Sequence, residues 1–221
     1  KSSFSSDFLE HSAFQGIKTC GYIFEADHEE ETDIFLSKRS GINNFYFKRK
    51  ILPNEETPFT IKDKYSKETD NLLSFIDGYD FTFTELINDI KMRALRDKVK
   101  FVVIDQLNSI ETEGGMNRKE FLTKCMHTLT RVAKKYRICI LLLCQLTRSA
   151  SKERGLIKPG AEDIAETADL ERLAYTIIII TAENRNAKKV KILYPKNRNG
   201  VADIDHELIF EREYSRFQDI I

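Results

Sequence analysis

The chain has 221 residues, a length that can bury a sizeable hydrophobic core without disulfides. Its 35 basic and 35 acidic residues give a net charge of zero, which excludes a uniformly basic nucleic-acid coat and an acidic solvating tail. No apolar run approaches the roughly 20 residues of a membrane span, so we expect a soluble protein.

Five short apolar runs predict buried strands: Cys20–Phe24, Phe101–Ile104, Ile138–Cys144, Tyr175–Thr181 and Val190–Tyr194. Most of them are continuous rather than alternating, which is typical of strands buried on both faces of a parallel sheet. Helical patterns lie between them, over Thr84–Leu95 and, most clearly, over Arg118–Tyr136. The alternation predicts an α/β fold with a mostly parallel sheet flanked by helices.

Three segments refine this prediction. Asn117, with Glu120 three residues later, predicts a capping box at the start of the clearest helix. The segment Ile42–Asp70 is polar and contains two prolines, which favours a loop with short helices. The runs Val190–Tyr194 and Glu207–Phe210 are separated by a reversal, which predicts an antiparallel hairpin at one edge of the sheet.

Polar side chains end three of the predicted strands. Asp105 ends Phe101–Asp105, and an aspartate at the carboxyl end of a parallel strand commonly holds Mg²⁺ against nucleotide phosphates. Gln145 ends a second run, where a neutral amide can hydrogen-bond a γ-phosphate or cap a neighbouring loop. Glu25 ends a third run, where a carboxylate can orient or deprotonate water. Each signal alone is weak, but three such endings together favour a nucleotide site.

The first two residues, Lys1-Ser2, match the end of a G-x-x-x-x-G-K-[ST] phosphate-binding loop. We expect the sequence to be cut within this P-loop, because the glycine-rich part is not in it. A helical pattern and then the strand Cys20–Phe24 follow, which is the order of a P-loop βα unit. The alternative is that a lysine and a serine at this position have no such role.

A basic segment lies near the other end of the sequence. Between Asn184 and Gly200 there are six basic residues and no acidic one. One interpretation is a solvated basic edge of the sheet. The other is that Lys196 and Arg198 lie on a turn and project toward the nucleotide of another subunit, as an arginine finger in trans does.

Taken in order, these segments resemble the C-terminal motor domain of DnaB-type replicative helicases, in the RecA-like P-loop ATPase superfamily. The resemblance covers nearly the whole chain, and its most specific part is the family pattern Lys-x-Arg-Asn-Gly. The matching segments are Lys1-Ser2, Tyr22–Glu25, Phe101–Leu107, Leu143–Arg148, Glu162–Glu166 and Lys196–Gly200.

The resemblance implies a RecA-like P-loop NTPase core, formed as a single motor domain by residues 1–221, with ATP and Mg²⁺ as cofactors. In such a site Lys1 would contact the β- and γ-phosphates, and Ser2 would ligate Mg²⁺. Asp105 would hold Mg²⁺ through water, and Glu25 would activate the attacking water.

The resemblance also implies contributions between subunits of a homohexameric ring. Gln145 would sense the γ-phosphate within one subunit, whereas Lys196 and Arg198 would reach into the site of the adjacent one. The family threads single-stranded DNA through the ring, and the 5′–3′ direction is implied by the family only. A primase and a helicase loader are the further partners that it implies, with a cytoplasmic location in a bacterium or a phage-infected host.

The DNA contacts are where the sequence departs from the family. Relatives usually carry Arg and Gly where this chain has Ala165 and Ala168, in a stretch that lines the DNA channel. Basic residues in two predicted loops could compensate, and the alternative for both loops is ordinary solvated surface. The candidate DNA-binding residues are Arg118, Lys119, Arg148, Lys152, Arg154 and Glu166.

The resemblance therefore predicts an ATP-dependent replicative helicase motor. Two alternatives remain open: a RecA-like ATPase that remodels protein or recombination filaments without processive unwinding, and a catalytically dead scaffold. The acidic run Asp27–Asp33 is a further departure from the family. We interpret it as a solvated helix start, where acidic side chains suit the positive end of the helix dipole.

Overall fold

The computed structural model describes residues 2–24, 28–53, 57–69, 72–146, 159–161, 164, 168–184 and 186–220. The chain divides into two compact units. The first comprises Lys1–Glu111, Val132–Leu143 and Glu211–Phe217, and the second comprises Thr112–Arg131, Cys144–Phe210 and Gln218–Ile221. This division does not decide whether residues 1–221 form a single motor domain, which stays a prediction.

Helices and strands alternate along the first unit. They are α1 (Ser2–Phe14), β1 (Thr19–Ile23), α2 (His28–Ser40), α3 (Asn44–Lys48), α4 (Pro58–Thr69), β2 (Leu73–Asp77), α5 (Phe83–Met92), β3 (Phe101–Asp105) and β4 (Cys139–Leu142). A π-helical turn, Arg93–Asp97, continues α5. Between β3 and β4 lies α6 (Arg118–Tyr136), which contributes its residues up to Arg131 to the second unit.

Four strands form a parallel sheet in the order β2-β1-β3-β4. All residues of the central strands β1 and β3 are buried, which explains their continuous apolar runs. Ile23, at the end of β1, pairs with both Asp77 and Asp105, so the carboxyl ends of these three strands are level. Helix α1 packs on the sheet through Leu9, which contacts Val103.

Several local predictions are confirmed. β4 lies within the apolar run that predicted it, β1 begins one residue before its run, and β3 ends one residue after its run. Helix α6 begins and ends at the predicted residues. Its capping box is present: the Glu120 N–H donates to Asn117 Oδ1 at 3.0 Å, and the Asn117 N–H donates to Glu120 Oε2 at 3.4 Å. These features depend on residues close together in sequence, so periodicity and capping residues suffice to predict them.

Two elements differ from expectation. Strand β2 was missed because its run Leu-Ser-Phe-Ile-Asp is interrupted by a polar residue, as suits an edge strand whose residues are half-buried. The segment predicted as a loop with short helices contains the 12-residue α4. Pro58 stands at its first position, which favours a helix start, and the buried Ile61 packs against Phe35 and Phe47. The polar sequence of α4 therefore gives little sign of a helix of this length, which is stabilised by packing in the core.

The second unit contains α7 (Ala168–Leu173) and most of an antiparallel sheet. Its strands are β5 (Thr176–Thr181), β6 (Lys189–Asn197), β7 (Ile204–Glu211) and β8 (Arg216–Asp219), in that order. Ile177, Ile179 and Leu193 form the buried cluster between β5 and β6. Among the described residues, no helix combines the length and apolar character needed to cross a bilayer.

The predicted α/β fold class is confirmed, with a parallel sheet flanked by helices and an antiparallel part. The antiparallel part is larger than the expected edge hairpin, because it is a sheet of four strands. The run Tyr175–Thr181, expected to lie in the mainly parallel sheet, forms β5 antiparallel to β6. A continuous apolar run indicates burial, and it carries no information about strand direction.

A buried tyrosine gives the first testable prediction. The Tyr22 hydroxyl, on β1, donates to Asp89 Oδ2 at 2.7 Å, and the Arg93 Nε donates to the same oxygen at 2.6 Å. Tyr22→Phe removes one of the donors to Asp89, whose side chain is 18% exposed. We expect the free energy of unfolding in urea to fall by about 1–2 kcal/mol. Tyr79→Phe is the control, since Tyr79 is 85% exposed; equal losses in both variants would contradict the prediction.

Candidate active site

The first turn of α1 meets the carboxyl end of β3. The Ser2 hydroxyl donates to Asp105 Oδ2 at 2.5 Å, across 103 residues of sequence. Asp105 is only 9% exposed, so its carboxylate is largely withdrawn from solvent. A hydroxyl and a carboxylate side by side are hard oxygen donors, the type that Mg²⁺ prefers. The structure thus brings together the two residues that the resemblance assigns to Mg²⁺, and their chemistry fits that ion.

The neighbouring strands continue their ladders up to this point. The Phe24 N–H donates to the Asp105 carbonyl at 2.9 Å, and the Leu143 N–H donates to the Ile104 carbonyl at 3.0 Å. The chain therefore leaves β1 directly beside Asp105. Glu25, the next residue, lies outside the described residues. Gln145 is exposed and belongs to the second unit, and its predicted role stays a prediction.

A second carboxylate faces Asp105, and the sequence did not point to it. Glu31, on α2, is 5% exposed, and burial together with the Asp105 carboxylate raises its pKa to about 7. A small cavity, with room for about one water molecule, is lined by both carboxylates and by Ser6. The interpretation of the acidic run as a solvated helix start is therefore wrong for Glu31.

The spacing of residues along α2 contains a signal that Glu31 is buried. Glu31, Ile34, Phe35 and Lys38 recur at intervals of three and four residues, and all four are buried. They form the inner face of α2. Acidic residues on both sides of Glu31 masked this periodicity, because a charged residue in an acidic run is ordinarily exposed.

A buried lysine joins α2 to α1. The Lys38 side chain is 3% exposed, and its Nζ donates to Asp7 Oδ1 at 2.6 Å and to the Ser3 carbonyl at 3.1 Å. Glu10 Oε1 lies 3.2 Å from the same nitrogen. Burial raises the pKa of both carboxyl groups, and the charge of Lys38 partly opposes this. These contacts hold the first turn of α1, and with it the serine that bonds to Asp105.

Lys196 lies within strand β6, and Arg198 lies on the turn that follows it, so the prediction that both lie on a turn is wrong for Lys196. In the second unit, the Lys196 Nζ donates to the Glu171 carbonyl at 2.5 Å and to the Arg172 carbonyl at 3.3 Å. The Arg198 Nη2 donates to the Arg172 carbonyl at 2.7 Å. Its guanidinium carbon lies 4.8 Å from the centroid of the Tyr175 ring. Both cations are thus held near the last turn of α7 in a single chain.

Two of the candidate DNA-binding residues are described. Arg118 and Lys119 open α6 after Gly114 and Gly115, which both have φ of +68° and form a turn that favours glycine. Lys119 is exposed, and the Arg118 guanidinium carbon lies 5.4 Å from the centroid of the Phe121 ring. The predicted site residues outside the described residues are Lys1, Glu25, Arg148, Lys152, Arg154 and Glu166.

The sequence matches the family described as DnaB-like helicase C terminal domain over residues 1–219. The chain belongs to this family. It is 26% identical over 186 residues to the replicative DNA helicase DnaB of Mycoplasma genitalium, covering 78% of the chain and 37% of the relative. It is 24% identical over 221 residues to the probable plasmid replicative DNA helicase of Chlamydia muridarum, covering 100% of the chain and 48% of the relative. The chain thus spans less than half the length of these curated relatives.

Solved structures confirm the fold of this DnaB-like domain. One of them, an ATPase domain, superposes with a TM-score of 0.84 and 18% identity, covering 100% of the chain and 81% of that protein. A DnaB-like replicative helicase, whose interactions with primase were described, superposes with a TM-score of 0.84 and 18% identity. The match covers 99% of the chain and 54% of that protein. The RadB recombinase superposes with a TM-score of 0.63 and 15% identity, and the match covers 100% of the chain and 86% of that protein. At these identities the likeness establishes the fold alone.

The raised pKa of Glu31 predicts how the stability of this DnaB-like domain depends on pH. Because the pKa is about 7 in the folded protein and ordinarily 4.5, the folded protein binds this proton more tightly than the unfolded chain. The stabilisation is complete below the unfolded value and is lost as the pH rises through about 7. We expect Glu31→Gln to raise the free energy of unfolding by about 1–3 kcal/mol near pH 8 and to change it little near pH 5.

Urea unfolding across this pH range provides the measurement. Glu29→Gln is the matched control on the same helix, since the Glu29 side chain is 68% exposed. It should show no gain that depends on pH. A Glu31→Gln variant that is less stable than the wild type near pH 8 would contradict the prediction.

Proposed function

We propose that this chain is the ATP-hydrolysing motor domain of a replicative DNA helicase that works as a homohexameric ring on single-stranded DNA. The observation that carries the proposal is the bond between the Ser2 hydroxyl and Asp105 Oδ2. It joins the residue after the predicted P-loop lysine to the carboxylate at the end of a buried parallel strand. The family membership and the RecA-like fold support this assignment.

The site residues then take distinct roles. Ser2 and, through water, Asp105 would hold Mg²⁺, and the ion would supply positive charge to neutralise the transferred phosphoryl group. Lys1 contacts the β- and γ-phosphates. Glu25 orients and deprotonates the attacking water, and Gln145 hydrogen-bonds the γ-phosphate as a neutral amide. Their geometry around the nucleotide rests on the family resemblance.

The remaining roles involve other molecules. Lys196 and Arg198 complete the nucleotide site of the adjacent subunit, and single-stranded DNA runs along the candidate DNA-binding residues. A primase partner is supported by the solved DnaB-like helicase described with its primase interactions. A helicase loader and a cytoplasmic location complete the proposal, as implied by the family. The alternative function is an ATPase that remodels protein or recombination filaments.

ATP turnover tests the proposal. We would measure it for the parent protein that includes the complete P-loop, with and without single-stranded DNA and at two protein concentrations. Turnover that rises with DNA and with protein concentration is expected for a motor whose sites are completed between subunits. Turnover indifferent to DNA would favour the remodelling ATPase, and the absence of turnover would favour the scaffold. Asp105→Asn is the negative control: it keeps the side-chain volume but removes the carboxylate charge, so it should lose turnover.

Removal of the proposed finger gives a separate prediction. We expect Arg198→Ala to lower DNA-stimulated turnover by about 10³-fold or more while nucleotide binding is retained. Lys188→Ala is the control, because Lys188 is an exposed cation of the same basic segment. Similar turnover in the two variants would favour the solvated basic edge.

A mixing experiment tests whether Arg198 acts in trans. Arg198→Ala subunits keep their own Glu25, and Glu25→Gln subunits keep their own Arg198. In mixed rings, a site is intact where an Arg198→Ala subunit provides Glu25 and a neighbouring Glu25→Gln subunit provides Arg198, so we expect turnover to reappear. Mixtures as inactive as the separate variants would argue that Arg198 acts within its own subunit.

A further inference from the structure

Lys196 and Arg198, together called the finger pair, are held by backbone carbonyl groups of α7. The hydrogen bonds run to the carbonyls of Glu171 and Arg172 at 2.5 to 3.3 Å. The last carbonyls of a helix lack partners within the helix and carry partial negative charge, so they attract cations. The position of α7 therefore sets where the tips of the finger pair lie.

The base of the finger pair is fixed separately. The Arg198 N–H donates to the Tyr175 carbonyl at 2.9 Å, and Asn197 pairs with Thr176 across β6 and β5. The first contact lies just beyond the ends of β6 and β5, the second lies in the antiparallel sheet, and neither is made by a residue of α7. Only the side-chain ends of the finger pair depend on the helix, so a small shift of α7 would move the tips while the strand stays in place.

The other end of α7 is bound to α6. The Thr123 hydroxyl, on α6, donates to Asp169 Oδ2 at 2.8 Å, and the Arg172 Nη2 donates to Asp169 Oδ1 at 2.7 Å. These two hydrogen bonds lower the pKa of Asp169, so it is an anionic acceptor at neutral pH. Leu170, 5% exposed, anchors the same turn by burial. Helix α7 is thus attached to α6 at its first turn and to the finger pair at its last.

Thr123 lies one helical turn after the start of α6. Lys119 precedes it by four residues, which places both side chains on one face of the helix. A helix transmits displacement along its axis as a stiff element. A ligand that moves the start of α6 would therefore move Thr123, and through Asp169 it would move α7.

We propose that Thr123 and Asp169 are positioning residues that couple the start of α6, through α7, to the finger pair. The inference rests on the proposed function, in which DNA contacts the start of α6 and the finger pair acts on the nucleotide of the adjacent subunit. DNA engagement would then change the placement of the finger pair within the same protomer. All the contacts that carry this coupling lie in the second unit.

Two substitutions at one position separate the hydroxyl from side-chain shape. Thr123→Val keeps the shape and removes the donor, whereas Thr123→Ser keeps the donor. Thr130→Val is the matched control on α6, because the Thr130 hydroxyl donates to the Met126 carbonyl of its own helix at 2.8 Å. Asp169→Asn removes the charge from the acceptor and provides a second route to the same loss. Thermal unfolding midpoints establish that each variant is folded.

The first readout is independent of activity. The parent protein with the complete P-loop is labelled without nucleotide by an amine-acylating reagent, and the labelling rate of Lys196 is measured by mass spectrometry relative to Lys188. We expect Thr123→Val and Asp169→Asn to raise this ratio about fivefold, the factor that corresponds to one lost hydrogen bond. Thr123→Ser and Thr130→Val should leave it unchanged.

The second readout is DNA-stimulated ATP turnover. We expect Thr123→Val to lower the stimulated kcat about fivefold, with the KM for ATP and the Kd for single-stranded DNA unchanged. Thr123→Ser should restore the wild-type kcat. A purely structural role for the hydroxyl would shift the unfolding midpoint without this selective effect on kcat.

The outcomes are distinct. Unchanged labelling of Lys196 would overturn the anchoring, and faster labelling with unchanged stimulated turnover would overturn the coupling. Reduced turnover with unchanged labelling of Lys196 would also overturn the coupling, because the effect on turnover would not pass through the finger pair. A wild-type parent without DNA-stimulated turnover would refute the proposed function, and with it the coupling, while the labelling ratio would still decide the anchoring.

Discussion

The hydrogen bond between Ser2 and Asp105 depends on two independent parts of the fold. The parallel sheet places the Asp105 carboxylate at its carboxyl edge, level with the ends of its neighbours. Helix α1 must then lie on the sheet with its first turn at that same edge. Packing of Leu9 on the sheet and the contacts of Lys38 with α1 provide this orientation. The site is therefore assembled by tertiary packing of elements that are each ordinary on their own.

Charge burial around this edge has an energetic cost. Lys38 lies beside both Asp7 and Glu10, so its positive charge offsets part of the cost of burying the two carboxyl groups. Glu31 has no such direct pairing within the described part of the chain, and its raised pKa reflects this. A second carboxylate close to Asp105 is a feature that a stability-optimised protein would lack. Its retention is consistent with the tendency of functional sites to hold groups that destabilise the fold.

The second unit uses weaker contacts to hold its basic residues. In the finger pair Arg198 is exposed and Lys196 is half-buried, and both bond to backbone carbonyls rather than to buried carboxylates. Exposed hydrogen bonds of this kind contribute little to stability, because water competes for the same groups. Such contacts can be made and broken readily, which suits side chains that are proposed to act on an adjacent subunit. The buried lysine of the first unit has the opposite character, since losing Lys38 would leave the carboxyl groups of Asp7 and Glu10 without their cation.

Elements whose signals are local can be predicted from the amino-acid sequence alone. Helix α6 and its capping box, the buried strands β1, β3 and β4, and the order of motifs that indicates the family all follow from periodicity, caps and short patterns. Four features depend on the tertiary fold: the direction of β5, the edge strand β2, the burial of Glu31 and the attachment of the finger pair to α7. These features arise from pairings between residues far apart in the chain. An apolar run indicates that a segment is buried, but the partner against which it is buried is chosen by the packing of the whole fold.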